Sequence, residues 1–545
     1  KMKMHYKIKK KTFISFIDIY LLKLSAIGIM LLLFSVLLLI SDPLQKIINS
    51  VRLHVGTLLY NIWLKPPLEV FLTVYMFNVT NLDAFTRGID KKLNVTEVGP
   101  YVYQEFLENH NVTFNDNNTM TYSPRRTVKF LRERSIGDPK VDRIVAPNIP
   151  YMGVTTAASS FSGFAAIAVS ALTRRLNAKA MLEVSVHDYL WGYEDQLVSL
   201  ASKFIPSVIN FQSFGLMERM FDEGHNIVTM QLPVKDEVAE GLVGVNNFSI
   251  DKWNGKKGMK IWGYKENSNT SSNTACNTLQ GTYEGTLFPR NISKGQKFRI
   301  YRKAFCRTLP IIYSQPGVID GIEGYNFKLA ENAFDSDIND PDSACFCKNR
   351  KCLKKGLGNI TPCYYNIPLA ISFPHFFNAD PTLLEPIEGL KPDEAKHGTE
   401  IVIQPQLGIP MRVHSRFQIN LLMGDIKYNS EMHRFQNIVI PIFWLDIGIE
   451  GLTPGLQLLL KLLFKICPYV QLGLIIALFI GGISLLGSAV LLSCCLSSSW
   501  RSLNVTVESS LMTNMAILPL LKKSSKQSKK DCQSNVKKDK KSLLV

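Results

Sequence analysis

Leu472–Leu492 reads LGLIIALFIGGISLLGSAVLL, twenty-one residues without one charged side chain. At about 1.5 Å of rise per residue, a helix of this length crosses the roughly 30 Å hydrocarbon core of a bilayer. A buried helix of a soluble core seldom runs this far without a polar face. A second apolar stretch, Leu24–Ile40 (LSAIGIMLLLFSVLLLI), lies near the other end and follows a basic segment. Ser41-Asp42-Pro43 offers no small-x-small cleavage pattern, so this stretch reads as an uncleaved signal-anchor. The expected organisation is a tail over 1–23, a span over 24–40 and one large domain over 41–471. A second span over 472–496 and a tail over 497–545 complete it.

The formal charge of +17 on 545 residues would fit a nucleic-acid binder, but its distribution does not. Residues 1–24 carry +6 and residues 497–545 carry +7, which leaves only +4 for the middle. Basic clusters beside membrane spans mark the cytoplasmic side and favour anionic headgroups. Both termini are therefore expected in the cytoplasm, with the middle outside the cell or in a lumen. Lys461 and Lys465 precede the second span on the outer side, where a Leu-rich amphipathic stretch lets them snorkel to headgroups.

Six of the ten cysteines lie in one window of that middle: Cys276, Cys306, Cys345, Cys347, Cys352 and Cys363. In an oxidising compartment an even set reads as disulfides, and six cysteines allow fifteen connectivities. Zinc is the competing reading, but the spacing is not the paired C-x2-C kind and no His is near in sequence. No metal or other cofactor is expected. Cys494 and Cys495, at the inner end of the second span, are either palmitoylated or plain membrane-edge thiols.

Along the middle, Gln45–Trp63 reads as helical until Lys65-Pro66-Pro67 breaks it. Tyr101–Tyr122, with polar Asn115–Asn118 between its arms, reads as a β-hairpin. Residues 154–202 turn small and apolar at helical spacing, which predicts two or three helices. From Ile227 to Trp444 β character returns. After Leu521 the chain is Lys/Ser-rich and reads as disordered. Asn-x-Ser/Thr sequons stand at Asn78, Asn94, Asn111, Asn117, Asn247, Asn269, Asn291 and Asn359, all in the middle, as an exterior domain would have them. No H-E-x-x-H and no G-x-S-x-G occurs, and His375 after Pro374 reads as structural, so nothing in the sequence argues for an enzyme.

A set of motifs runs in order along the chain: Lys65-Pro66-Pro67-Leu68-Glu69, Tyr75–Asn81 (YMFNVTN), and Glu97–Tyr103 (EVGPYVY). Leu190-Trp191-Gly192-Tyr193, Cys345-Phe346-Cys347, Ser372–Phe376 (SFPHF), Glu385–Leu390 (EPIEGL) and Ile440–Leu445 (IPIFWL) follow. In these motifs the chain resembles the class B scavenger receptor family, its lysosomal integral membrane and insect-type members included. The resemblance implies an α+β ectodomain: an antiparallel, barrel-like β core, a helical apical cap over about 150–225, and an internal hydrophobic tunnel. It also implies the pairing Cys276–Cys345, Cys306–Cys363 and Cys347–Cys352 within a Cys-rich part over 276–363. Implied partners are lipids, fatty acids, sterols, lipoproteins and anionic phospholipid surfaces at the plasma membrane or in endosomes and lysosomes. The long Lys/Ser tail departs from the family's short ones.

In the helical part, Arg175, Lys179, Glu183 and His187 stand four apart and predict one ladder on a helix, with Arg174 beside it. Such a ladder is either a docking face for an anionic partner or a solvated face. The leading functional expectation is a receptor that binds lipid or lipoprotein at the cap and passes lipid through the tunnel to the membrane. A sorting or recognition receptor for a protein partner in endosomes and lysosomes is the second reading. A two-span ligand-gated cation channel is the third, set back because the spans offer only serines and small residues to a pore. Asp539, Leu543 and Leu544 fit an acidic dileucine signal for clathrin adaptors, or a chance leucine pair.

Overall fold

The computed structural model describes residues 2–207, 209–221, 224–233, 246–266, 272–347, 350–426 and 428–512. The chain forms two units, one of Lys1–Pro43 with Tyr469–Val545 and one of Leu44–Pro468. In the first, helix α1 (Met2–Ser41) and a long C-terminal helix (Cys467–Met512) carry the two apolar stretches. Both are long and apolar enough to cross a membrane. They meet where each has a glycine: a Cβ on Gly482 would lie 2.9 Å from the carbonyl oxygen of Gly28. Close approach of this kind replaces hydrophobic driving force between helices in lipid.

In the second unit a 14-stranded, almost wholly antiparallel sheet dominates. Its main path uses eleven strands: β1 Val70–Val79, β2 Leu93–Asn115, β3 Thr119–Phe130, β4 Val228–Gln231 and β5 Ile250–Trp253. These are followed by β6 Phe298–Arg302, β7 Arg307–Ile319, β8 Ile322–Leu329, β9 Glu400–Gln404, β10 Ile409–Leu422 and β11 Val439–Ile449. In space the order is β6-β7-β8-β9-β10-β11-β1-β2-β3-β4-β5. The path has two ends, β6 and β5, and the segment Gly281–Tyr283 hydrogen-bonds to both, the Ile250 N–H donating to the Thr282 carbonyl at 2.7 Å and the Tyr283 N–H to the Arg299 carbonyl at 2.8 Å. Strand alternation sets the core: Leu72, Val74 and Met76 point inward and are fully buried, while Thr73 and Tyr75 face out. Each such side chain taken from water contributes about 1.5–3 kcal/mol.

The expected hairpin is β2–β3, with Asn115 opposite Thr119 and Asn118 in the left-handed region at φ 56°. The 43–65 stretch forms two short helices, Pro43–Ser50 and Leu58–Leu64, the second capped by Thr57 accepting the Tyr60 N–H. Gly99 fixes how β1 and β2 pair. A Cβ there would lie 2.8 Å from the Val74 carbonyl oxygen and 2.9 Å from Cδ1 of Tyr75, at φ 155°. Only glycine lets β2 close on β1 at the bulge beside Tyr75.

In the Cys-rich part, Cys276 is bonded to Cys345, Cys306 to Cys363 and Cys347 to Cys352, with Cα separations of 6.0, 6.0 and 4.3 Å. Among the described residues no group of three or more His, Cys, Asp or Glu side chains is placed to hold a metal.

Candidate functional site

Between β3 and β4 the chain leaves the sheet and forms α2 (Ile149–Phe161), α3 (Gly163–Arg175), α4 (Val186–Trp191) and α5 (Gln196–Phe204). Asn148 caps α2 by accepting the Tyr151 N–H at 3.2 Å, with Pro150 in the first turn. Ser162 serves both neighbours. Its N–H closes α2 on the Ala158 carbonyl at 3.1 Å, and its hydroxyl oxygen accepts the Ala165 N–H at 3.1 Å to start α3. That sharp corner carries Phe161 and Phe164 at 86% and 84% exposure. Two bare aromatic rings three positions apart make this corner an exposed apolar patch.

Beside the corner lies a cavity of about 490 Å³ lined by Val154, Ala157, Leu172, Leu197, Phe204 and Phe211 among others, with no charged residue in its wall. Its size falls in the roughly 300–1,000 Å³ range of small-molecule sites. The walls can hold hydrocarbon and offer nothing to pair a buried charge. Arg174 and Arg175, both exposed, end α3 nearby in sequence.

The ladder expected from Arg175 to His187 does not form. Helix α3 stops at Arg175: the Leu176 N–H returns to the Leu172 carbonyl at 3.0 Å and Asn177 turns left-handed at φ 50°. Lys179 is an exposed loop residue, Glu183 lies in the short strand Met181–Ser185, and His187 begins a separate helix. Glu183 pairs with Arg143 across the ribbon, its carboxylate 3.2 Å from Nε.

Inside the sheet is a charged cluster that the sequence did not announce. Arg126 of β3 lies between two buried carboxylates, 3.3 Å from Glu105 and 2.6 Å from Glu284, and Tyr122 donates its hydroxyl to Glu284 at 2.7 Å. Burial, then the Glu284 charge, pushes the Tyr122 hydroxyl pKa far up, so it stays a donor. The adjoining void, walled by Phe305, Phe417 and Leu445, measures about 40 Å³, room for a water molecule. It shares no lining residue with the cavity under the helices.

On the outer face, a groove of about 730 Å³ runs over β1, β10 and β11. Its floor holds Tyr75 stacked on Trp444, the pair His414 and Arg416 on Asp446 at 2.9 and 3.0 Å, and Glu97. Glu97 accepts from Trp444 Nε1 and from His375 Nε2, both at 2.7 Å. Burial alone would raise the Glu97 pKa, but these hydrogen bonds outweigh it and hold the carboxyl below its usual range. His375 is thus a buried, bonded residue, and Ala395, Lys396 and His397 wall the groove from one side.

Of the sequons, Asn111, Asn117 and Asn291 are exposed and Asn78 and Asn94 half-buried. Asn247 and Asn359 are buried at 9% and 6%, and Asn359 spends its amide on the Phe346 carbonyl at 3.5 Å. Cys494 and Cys495 are exposed free thiols on the long C-terminal helix. Asn269, Asp539, Leu543 and Leu544 lie outside the described residues.

A disulfide-bonded antiparallel sheet with a helical insert, bracketed in sequence by two apolar helices, defines a membrane-anchored ectodomain protein. The chain belongs to the CD36 family, which it matches over residues 26–493. It is 28% identical to scavenger receptor class B member 1 of Bos taurus over 459 residues, covering 82% of this chain and 85% of that one. It is 30% identical to the same receptor of Cricetulus griseus, covering 81% and 82%. It is also 30% identical to lysosome membrane protein 2 of Homo sapiens over 431 residues, covering 78% and 85%.

Proposed function

We propose that this chain is a scavenger-type membrane receptor that takes apolar ligands at its helical cap and hands them inward toward the bilayer. The observation that carries the reading is the uncharged cavity beside the bare Phe161–Phe164 corner. The rings wet poorly, so they insert into a lipid or lipoprotein surface, and an extracted chain slides into the apolar cavity. A fatty chain gains about 0.8 kcal/mol per CH₂ removed from water, so the cavity supplies most of the affinity. Arg174, Arg175 and Lys179 act at longer range. They raise the capture rate of anionic headgroups, an effect that fades with salt. From the cap, lipid reaches the membrane through a passage inside the sheet that opens when the Arg126 cluster and its aromatic wall give way.

Membership beside both a scavenger receptor and a lysosome membrane protein supports residence at the plasma membrane or in endosomes and lysosomes, and the basic tails support cytoplasmic termini. Transfer of a fluorescent fatty acid from lipoprotein particles to cells expressing the chain tests the reading. Phe161→Asp with Phe164→Asp should abolish most of the transfer at unchanged surface expression. Transfer at the wild-type rate would move ligand entry elsewhere and favour a receptor for a protein partner.

A further inference from the structure

The lipid reading makes no use of the outer groove, whose surface is of another kind. Three cations, Arg134, Lys396 and Arg416, share it with three carboxylates, Glu97, Asp446 and Glu450. Arg134 pairs with Glu450 at 3.0 Å and lies over the ring of Phe71, 4.1 Å from its centroid. Arg416 spends Nε on Asp446 and Nη1 on the Gly398 and Ala395 carbonyls, at 2.8 and 3.4 Å. That guanidinium of Arg134 covers Phe71, and Trp444 is only 6% exposed against Tyr75. An apolar chain therefore finds no bare wall here, and an ion meets as many charges against it as for it.

The groove offers uncharged hydrogen-bonding groups instead. His397 lines it and is 3% exposed. Its Nδ1 accepts the Asp393 N–H at 3.0 Å, so the neutral ring carries its proton on Nε2. Burial and the neighbouring His375 hold the His397 pKa down to about 4, which keeps the ring neutral at neutral pH. Among the described residues that Nε2–H has no acceptor, so its partner has to come from the groove. Glu97 supplies the opposite half. Its bonds from Trp444 and His375 both end on Oε2, and Oε1 is left to accept. Burial, then the Glu97 charge, pushes the Tyr75 hydroxyl pKa up, so Tyr75 stays a donor. His414 gives its Nδ1–H to Asp446, which leaves Nε2 an acceptor in the neutral ring.

Donors and acceptors are thus mixed on one surface without net charge. A hydroxyl both accepts and donates at a single neutral atom, and a sugar ring carries several. A second hollow of about 310 Å³ adjoins the groove across Ala395 and Arg416, with Gln315, Asn326 and Lys328 in its wall. Two adjoining polar hollows fit a chain of rings better than a single one. We propose that the outer groove binds a neutral carbohydrate chain whose hydroxyls accept from His397 Nε2 and donate to Glu97 Oε1. The groove shares no lining residue with the cavity under the helices, so this site stands independently of where lipid enters.

Saturation-transfer NMR on the intact protein in lipid nanodiscs tests this with maltohexaose, cellohexaose and hexa-N-acetylchitohexaose as probes. At least one should give ring-proton signals at millimolar concentration. These should hold from about 50 to about 500 mM salt, because screening does not act on a neutral ligand. Ala395→Trp, from an exposed position that walls both hollows, should abolish the signal at an unchanged unfolding midpoint. Glu97→Gln keeps an oxygen for Trp444 and His375 and puts an amide where Oε1 stood. It should weaken binding about tenfold. Silence from all the probes, a signal that Ala395→Trp leaves at wild-type strength, or one that salt removes would each overturn the site. Thr73→Trp fills the groove from the sheet side and decides the matter if the short helix Glu394–His397 rejects an indole.

Discussion

The ring of Tyr75 lies 4.1 Å from that of Trp444, with only 9° between their planes. Tyr75 stands on the first strand of the sheet and Trp444 on the last, and they face each other in register. The contact therefore zips together the two ends of the ectodomain sequence, and Trp444 adds a hydrogen bond from its indole to Glu97. Trp444→Leu removes the stack and that bond and leaves a cavity beside His397. It should lower stability by about 3 kcal/mol. Thermal unfolding of the detergent-solubilised protein reads this as a lower midpoint, and Trp444→Phe should recover part of the loss.

The Arg126 cluster makes a different prediction. Arg126→Met leaves Glu105 and Glu284 buried without their cation, which should cost about 3–5 kcal/mol. Replacing all three members with apolar residues of similar size removes the stranded charges. Denaturant unfolding should then find the triple variant more stable than Arg126→Met.

Ser162→Ala removes a hydroxyl that starts α3 but leaves the backbone bond that ends α2. The expected cost is about 1 kcal/mol, confined to the corner. Exchange of the Ala165 amide should speed up while amides of the sheet stay as they were.

Acid should weaken the groove region in two steps. His397 has a folded pKa near 4 against an ordinary 6.5, so the unfolded chain binds its proton first as pH falls. Its contribution is complete above about pH 6.5 and is lost on acidification toward about pH 4. Glu97 is held below its ordinary 4.5, so its contribution is present above that value and is lost below its folded pKa. Unfolding midpoints measured across this range should fall with pH, and His397→Gln should flatten the upper part of the curve.

How much of this could be read from the chain depends on how local each signal is. The β2–β3 hairpin was legible because alternation and a polar Asn115–Asn118 turn lie within one short stretch. The two apolar helices were legible for the same reason. The Arg175–His187 ladder was misread because a four-residue spacing was carried across a helix end. The stop signal was present: Arg174 and Arg175 in a last turn, then Asn177 able to turn left-handed. The pairing of Arg126 with Glu284 spans 158 positions and leaves no local trace. The same holds for His375, whose partner Glu97 is 278 residues away. The link from β5 to β6 runs through Gly281–Tyr283, a stretch outside the named strands, and alternation within a strand does not encode it.

The central claim is that apolar ligand enters the cavity beside the Phe161–Phe164 corner. Photolabelling of the intact protein in vesicles with a diazirine-bearing fatty acid, mapped by peptide mass spectrometry, tests it most directly. Labels should fall on cavity residues such as Val154, Leu197 and Phe204, and Ala157→Trp, which fills the cavity from an exposed position, should remove them. Labelling confined to the outer groove around Tyr75, or labelling of the cavity that survives Ala157→Trp unchanged, would contradict the account.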